Sequence, residues 1–411
     1  MRRLAFVAAA AALACVAGLA VADKLDPRRP ASFVVGTPRG VSPTPRVDVR
    51  RRAMSDQPLP RIPHKQWNRS VGTRVVEHPP LVGDKGEIVV TTMGGEVSWL
   101  DDHGVEVGHV MLGAAGSGPP TLLADGTVVA VSTTGEAIGA TKAGVRFRTR
   151  LGGERAAGPN APAPLPLDDG GVVVATATEL DALDADGNVR AKATLTEGLA
   201  GPLIALGGRV LATTVSGVVY GWTPGREAVR VGSFGGPTDG GAAALDDHTL
   251  VAVVDATRIV ALDVDRGVSV PRAGPAPGFY LGPLAVRGSV VYGMLQTPTQ
   301  TFVVGIDAAG QETLRAAVAQ QSALAVDGGV AVLVVPAHTG VLVDASGTVA
   351  FATPEGGVGV VDPSGVVNLA AETPCARGYG RAGRGSTVAG LTPAGAGGLI
   401  VACDSGGVFR Y

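Results

Sequence analysis

A phrase of about 40 residues repeats along this chain from His78 onward, and its clearest landmark is a hydrophobic-Asp-x-x-Gly turn. The turn occurs at Leu100–Asp101 to Gly104, Leu183–Asp184 to Gly187, Ile306–Asp307 to Gly310 and Val361–Asp362 to Gly365. Between the turns lie short apolar runs rich in Val, Ala and Leu, and the 3.6-residue period of a helix is weak throughout. Repetition at this length, in β-rich pieces punctuated by Gly and Asp, predicts an all-β fold: a β-propeller of four-stranded blades.

Six units stack in register, over residues 78–112, 118–151, 162–195, 201–234, 240–273 and 281–318. In the second, Thr121–Ala124, Thr127–Thr133, Ala137–Thr141 and Val145–Arg150 are the expected strands, with Gly126, Gly135 and Gly144 at the turns. Inner strands sandwiched between blades should read as continuous apolar runs, as in Val172–Ala175 and Leu250–Val254. The outermost strand meets water and alternates charge, as in Arg146, Arg148 and Arg150. The Asp of each turn, Asp263 included, is assigned to bonding its own downstream backbone. After Val318 the register slips. Residues 322–336 supply one hairpin beyond the pattern, either an insertion or the start of a further blade, before the phrase restarts over 340–371. The last unit, built from Gly390–Pro393, Gly398–Cys403 and Val408–Tyr411, lacks a fourth strand, and an open ring would leave an unpaired edge. Lys65–Arg69 is therefore expected to close the ring beside Val408–Tyr411. The count is eight blades, with seven as the alternative.

Ahead of the repeats, Arg2 and Arg3, an apolar run from Leu4 to Val21 and the small-x-small triplet Ala20–Val21–Ala22 form a signal-peptide pattern over residues 1–22. Two alternatives stay open: an uncleaved anchor, since the apolar run is 18 residues long, and lipidation of Cys15. Residues 23–63, with Pro27, Pro30, Pro38 and the triplet Arg50–Arg52 among them, read as a Pro/Arg-rich linker. It would space the propeller, residues 64–411, from the membrane or the cleavage point. Membrane contact is expected only through an uncleaved or lipidated N-terminus. Past the leader, Cys375 and Cys403 are an even pair in an oxidising compartment, and a disulfide between them would staple the closing seam. The expected location is the periplasm or cell envelope.

A net charge of -2 and the lack of a basic, aromatic-interleaved stripe argue against nucleic acid as a partner. The six His residues are scattered, with only His103 and His109 near metal-ligand spacing, and are assigned to the surface. Asp101–Asp102, Asp168–Asp169 and Asp246–Asp247 fall short of the ligand density of a calcium loop. There is neither a Gly-x-Ser-x-Gly elbow nor a phosphate loop, so no catalytic, cofactor or metal residue is assigned.

The wording of the blades resembles the quinoprotein (PQQ-like) propeller repeat over residues 64–411, most closely in Leu180–Gly187 and Val218–Trp222. That resemblance implies one of two branches. Quinone-dependent dehydrogenases would carry calcium, a quinone in the ring centre, an Asp base and a vicinal cysteine pair. This chain has no adjacent cysteines, and only Trp67, Trp99 and Trp222 to floor a stacked quinone. Exported non-enzymatic propellers, similar to the outer-membrane assembly scaffold BamB, bind protein through loops on one face. The lack of catalytic apparatus favours this second branch, a scaffold that takes protein partners in the envelope and needs no cofactor. The loop tips 274–278 and 377–384 are candidate contacts, and a quinone and calcium enzyme or cofactor binder is the alternative reading.

Overall fold

In each repeat the chain folds back on itself three times, giving one antiparallel sheet whose strands follow in chain order from the ring axis outward. Blade 1 comprises Leu81–Val82, Ile88–Thr91, Glu96–Leu100 and Glu106–Met111, each paired with the next. The computed structural model describes residues 40–71, 78–153, 161–320, 324–326, 329–331, 340–353, 356–375 and 388–411. Among these the count is eight blades. The innermost strands of blades 2 to 8 are Thr121–Leu122, Leu165–Pro166, Ile204–Leu206, Thr238–Ala244, Phe279–Arg287, Leu342–Asp344 and Val388–Ala394. The surplus hairpin is an insertion: Leu324–Val326 pairs with Gly329–Ala331 as a separate two-stranded piece between blades 6 and 7.

The hydrophobic core is divided into layers, because every blade has two apolar faces and can bury them only against its neighbours. Trp99 and Leu81 of blade 1 pack with Leu122 and Ile138 of blade 2, and the pattern continues around the ring. Leu123 with Val174 joins blades 2 and 3, Val173 with Trp222 joins 3 and 4, and Val219 with Val260 joins 4 and 5. Val253 with Val291 joins 5 and 6, and Met294 with Phe351 and Val401 carries the layer through blades 6, 7 and 8. The circle ends where Ile400 and Val408 of blade 8 meet Ile88 and Leu100 of blade 1.

Closure follows the expected route. Trp67–Ser70 forms the fourth strand of blade 8, antiparallel to Gly407–Arg410, with Trp67 opposite Arg410 and Ser70 opposite Gly407. Its side chains also reach blade 1: Trp67 Nε1 donates to the Asp102 carbonyl at 2.8 Å and Arg69 Nε to the Gly104 carbonyl at 3.0 Å. The Cys375–Cys403 disulfide is formed, with both residues 1% exposed. Cys403 ends the second strand of blade 8, and the Cys375 amide donates to the Gly356 carbonyl of blade 7, so the bridge fastens these two blades.

The linker expected over residues 23–63 is corrected by the structure from Ser42 to Leu59, which coil inside the ring as a hub. Backbone carbonyls of the hub accept from the inner strands in turn: Pro43 from Leu122, Val49 from Ala205, Arg50 from Ala244, Arg52 from Val286 and Ala53 from Val343, all between 2.7 and 3.0 Å. Ser42 exchanges two bonds with Val82, and Met54–Ser55 adds a short parallel strand to blade 7. The basic triplet, read from sequence as part of that linker, is divided in its roles. Arg50 is partly exposed and pairs with Asp247, whereas Arg51 is 1% exposed. The Arg51 guanidinium donates to the carbonyls of Pro45, Leu203 and Pro164 at 2.8, 2.9 and 3.1 Å, which brings in blade 3. Seven blades are thereby tied to one coil. Pro-rich sequence hides this role, because a strand-like hydrophobic alternation is not what buries these residues.

The coil takes an uncommon backbone path. Arg46, Val47, Arg51 and Ala53 have φ of 67°, 75°, 58° and 50°, a region that costs non-glycine residues roughly 1–3 kcal/mol each and persists only where the surroundings enforce it. Here the enforcement is the ring of inner-strand amides, together with the Asp48 carboxylate, which accepts from the Arg50 and Arg52 amides and from Arg52 Nε. Replacing Arg51 with Met removes donors from three buried carbonyls and is expected to cost on the order of 3 kcal/mol in urea unfolding. Arg50→Met, at a surface ion pair, should change the midpoint by less than about 1 kcal/mol. Equal effects of the two substitutions would contradict the hub.

Candidate functional site

Antiparallel blades place their turns alternately on two faces, and each face has its own turn chemistry. On one, the turns between strands three and four carry the repeated Asp. Asp101 Oδ1 accepts from the amides of His103 and Val105, Asp184 from Asp186 and Asn188, Asp307 from Ala309 and Gln311, and Asp362 from Ser364 and Val366. Each of these turns ends on a glycine with φ between 76° and 88°. The bonds hold the Asp101 and Asp184 carboxyls below the usual range, through the Val105 and Asn188 amides first. The repeated Asp is thus committed to its turn.

The opposite face carries the turns between strands two and three, and there the sequence analysis missed a second repeated device. Hydroxyls of Thr92, Ser132, Thr176, Thr214, Thr297 and Thr353 accept from backbone amides three or four residues on, at 3.0 to 3.3 Å. A Thr or Ser starting a tight turn, recurring in six of the eight blades, was the available signal. The connectors between blades lie on this Thr face as well. Both ends of the hub lie on the Asp face: Gly40 abuts Val82 and Gly83 at a blade 1 turn, and the Leu59 amide donates to Asp344 at a blade 7 turn.

At the ring centre, where the quinone reading needs its cofactor, the chain fills the space with its own residues. Arg46 donates to the carbonyls of Val341, Pro283 and Leu284, and burial pushes its guanidinium down to about 9 and that of Arg51 to about 10. Both stay cationic at neutral pH and are met by carbonyl dipoles and Asp48. Trp67 lies on the outermost strand of blade 8, while Trp99 and Trp222 are buried between blades, so none faces the axis as a stacking floor.

The Thr face holds a cleft of about 400 Å³ between blades 5 and 6, lined by Thr257, Pro277, Phe279, Gln296 and Pro298 among others. Its lining includes Ala276, Pro277 and Gly278 of the tip 274–278 singled out from sequence. Thr257 in its lining follows the tight turn Asp255–Ala256, with φ of 52° and 56° at both central positions, a geometry that usually recruits Asn-Gly. A second cavity, about 420 Å³, lies beside the disulfide and is lined by Lys65, Asn68, Arg69 and Glu372, with Lys65 and Glu372 ion-paired. Ala20, Ala22, Cys15 and the tip 377–384 lie outside the described residues. Among the described residues no cluster of three or more His, Cys, Asp or Glu could hold a metal ion.

The histidines divide. His103 is exposed beside Asp102, His109 lies 3.4 Å from Ser98 Oγ, and His248 bonds Asp265 at 2.6 Å, which raises the pKa of the imidazole. His78, expected at the surface, is instead buried under the Thr face next to Thr92 and Met93.

No family model and no curated protein matches the chain. Solved structures do. BamB from Moraxella catarrhalis matches with a TM-score of 0.57 at 16% identity, over 84% of this chain and 96% of that one. A computationally designed protein, Ika8, matches with a TM-score of 0.63 at 14% identity, over 86% of this chain and 99% of that one. At such identities the likeness is one of fold, and it supports a BamB-type propeller at that level.

Burial lowers the His78 imidazole to about 4, against about 6.5 when exposed. Between those values the unfolded chain takes up a proton that the folded chain refuses, so stability falls as pH drops through this window. From pH 7 to 5 the loss is roughly 2 kcal/mol. His78→Leu should flatten this part of the urea-midpoint profile; an unchanged slope would contradict the assignment.

Proposed function

We propose that this chain is an exported, non-catalytic propeller that acts as a protein-binding scaffold in the cell envelope, with the Thr face as its binding face. The observation that carries this reading is the occupied axis: the hub takes the place where a propeller enzyme of the resembled type would hold its quinone, which leaves rims and loops for recognition. Gly40, at the N-terminal end of the hub, lies on the Asp face, and on this reading attachment through the N-terminus would leave the Thr face free. The signal pattern over residues 1–22, with Ala20 and Ala22 at the cleavage site, and the disulfide fit an oxidising compartment. The likeness in fold to BamB fits the same reading.

The test is photo-crosslinking in intact cells from single positions. Met93 and Val215 are exposed on turns of the Thr face, and Asp102 and Asp247 on turns of the Asp face. Discrete protein adducts are expected from Met93 or Val215. Adducts from neither, or from Asp102 and Asp247 alone, would overturn the reading. So would a melting shift with pyrroloquinoline quinone and calcium, since a ligand at 100 times its Kd stabilises by about 2.7 kcal/mol.

A further inference from the structure

The cavity beside the Cys375–Cys403 bridge lies between the connector that follows blade 7 and the strand that closes blade 8, and its volume is about 420 Å³. The register of the closing strand decides which side chains face it. Asn68 stands opposite Phe409 and Ser70 opposite Gly407, so these four share one face of the sheet, and all four line the cavity. Trp67 and Arg69 alternate to the other face, where they bond the Asp102 and Gly104 carbonyls of blade 1. Glu372, Thr373 and Pro374 of the connector complete the polar and apolar parts of the lining. The Phe409 ring reaches back over Gly407, where an added Cβ would come within 2.9 Å of Cε2, and so lies along the sheet as a half-buried apolar surface.

We propose that this cavity binds a neutral saccharide, with the apolar C–H face of a pyranose ring against Phe409 and Pro374 and its hydroxyl rim toward Asn68 and Thr373. Charge selects first. The ions of the lining are already matched, because Lys65 pairs with Glu372 and the Arg69 guanidinium is turned to the Gly104 carbonyl, so a charged ligand would meet no free counter-ion there. Hydrogen bonding selects next. A carboxamide carries a donor and an acceptor side by side, and two hydroxyls on neighbouring carbons present the complement. An apolar ligand would instead cover the Asn68 amide and the Thr373 hydroxyl without partners, whereas a ligand without an apolar face would gain nothing from Phe409. A cavity of this volume also suits a small organic molecule better than a lone ion. The proposal does not depend on the scaffold reading, so the two can fail separately.

The probes are methyl β-galactoside and N-acetylglucosamine, each titrated into the full chain while the Asn68 side-chain and Thr373 backbone ¹⁵N–¹H resonances are followed. The Asn68 signals are assigned by their loss in Asn68→Ala. A saturable shift of both groups is expected with at least one of the two sugars. Read from the Thr373 amide, Asn68→Ala should lower the affinity roughly tenfold, the loss of about one hydrogen bond. Thr373→Val, at an exposed position outside any strand, should weaken binding as well and serves if Asn68→Ala disturbs the closing strand. Galacturonate and glucosamine, similar rings with a charge of either sign, should bind more weakly than the neutral sugars. No saturable shift with either neutral sugar at tens of millimolar, unchanged affinity in both variants, or tighter binding of a charged sugar would overturn the site.

Discussion

The structure depends on hydrogen bonds that run radially, from the inner-strand amides of the blades to the carbonyls of residues 43–53. A propeller's innermost strands are edges, and an edge has unpaired polar groups that must be met by water or by chain. Here they are met by chain. One coil accepts from blades 2, 4, 5, 6 and 7, exchanges bonds with blade 1, and reaches blade 3 through the Arg51 guanidinium. The left-handed φ values of Arg46, Val47, Arg51 and Ala53 are what turning successive carbonyls toward different blades requires. Strain in the coil and satisfaction of the ring are therefore one arrangement seen from two sides.

This arrangement also explains how closure is reinforced. Two segments from the N-terminal side act in sequence, the hub along the axis and Trp67–Ser70 at the perimeter of blade 8. The path between them passes Leu59, whose amide is held by the buried Asp344 carboxylate. The Cys375–Cys403 bridge fastens blade 7 to blade 8, next to the seam that Trp67 and Arg69 tie to blade 1. Each of these ties reinforces a ring whose last layer is the packing of blade 8 on blade 1. With both faces of every blade buried only against neighbours, an opened circle exposes two apolar surfaces at once.

What the sequence made legible was periodic. The Asp turns, the six regular units, the surplus hairpin and the borrowed strand near Trp67 all follow from spacing, because each blade solves the same burial problem with the same residue pattern. The hub was not legible, for a physical reason: it is held by backbone carbonyls and by Arg51, and neither leaves a hydrophobic period in a Pro- and Arg-rich stretch. His78 was hidden similarly, since one polar residue before an apolar strand does not show which way it points. The turn hydroxyls of the Thr face recur as regularly as the Asp residues, but Thr and Ser are common enough in strands to conceal the pattern.

The most direct test of the hub is native-state hydrogen exchange at the amides of Leu122, Ala205, Ala244, Val286 and Val343, which donate to it. On this account they exchange only through global unfolding, with the same free energy as interior amides such as Val251 and Val304. Exchange at these five sites near the rate of exposed loop amides, while the interior amides stay protected, would show that the axis is open to water and would contradict the account.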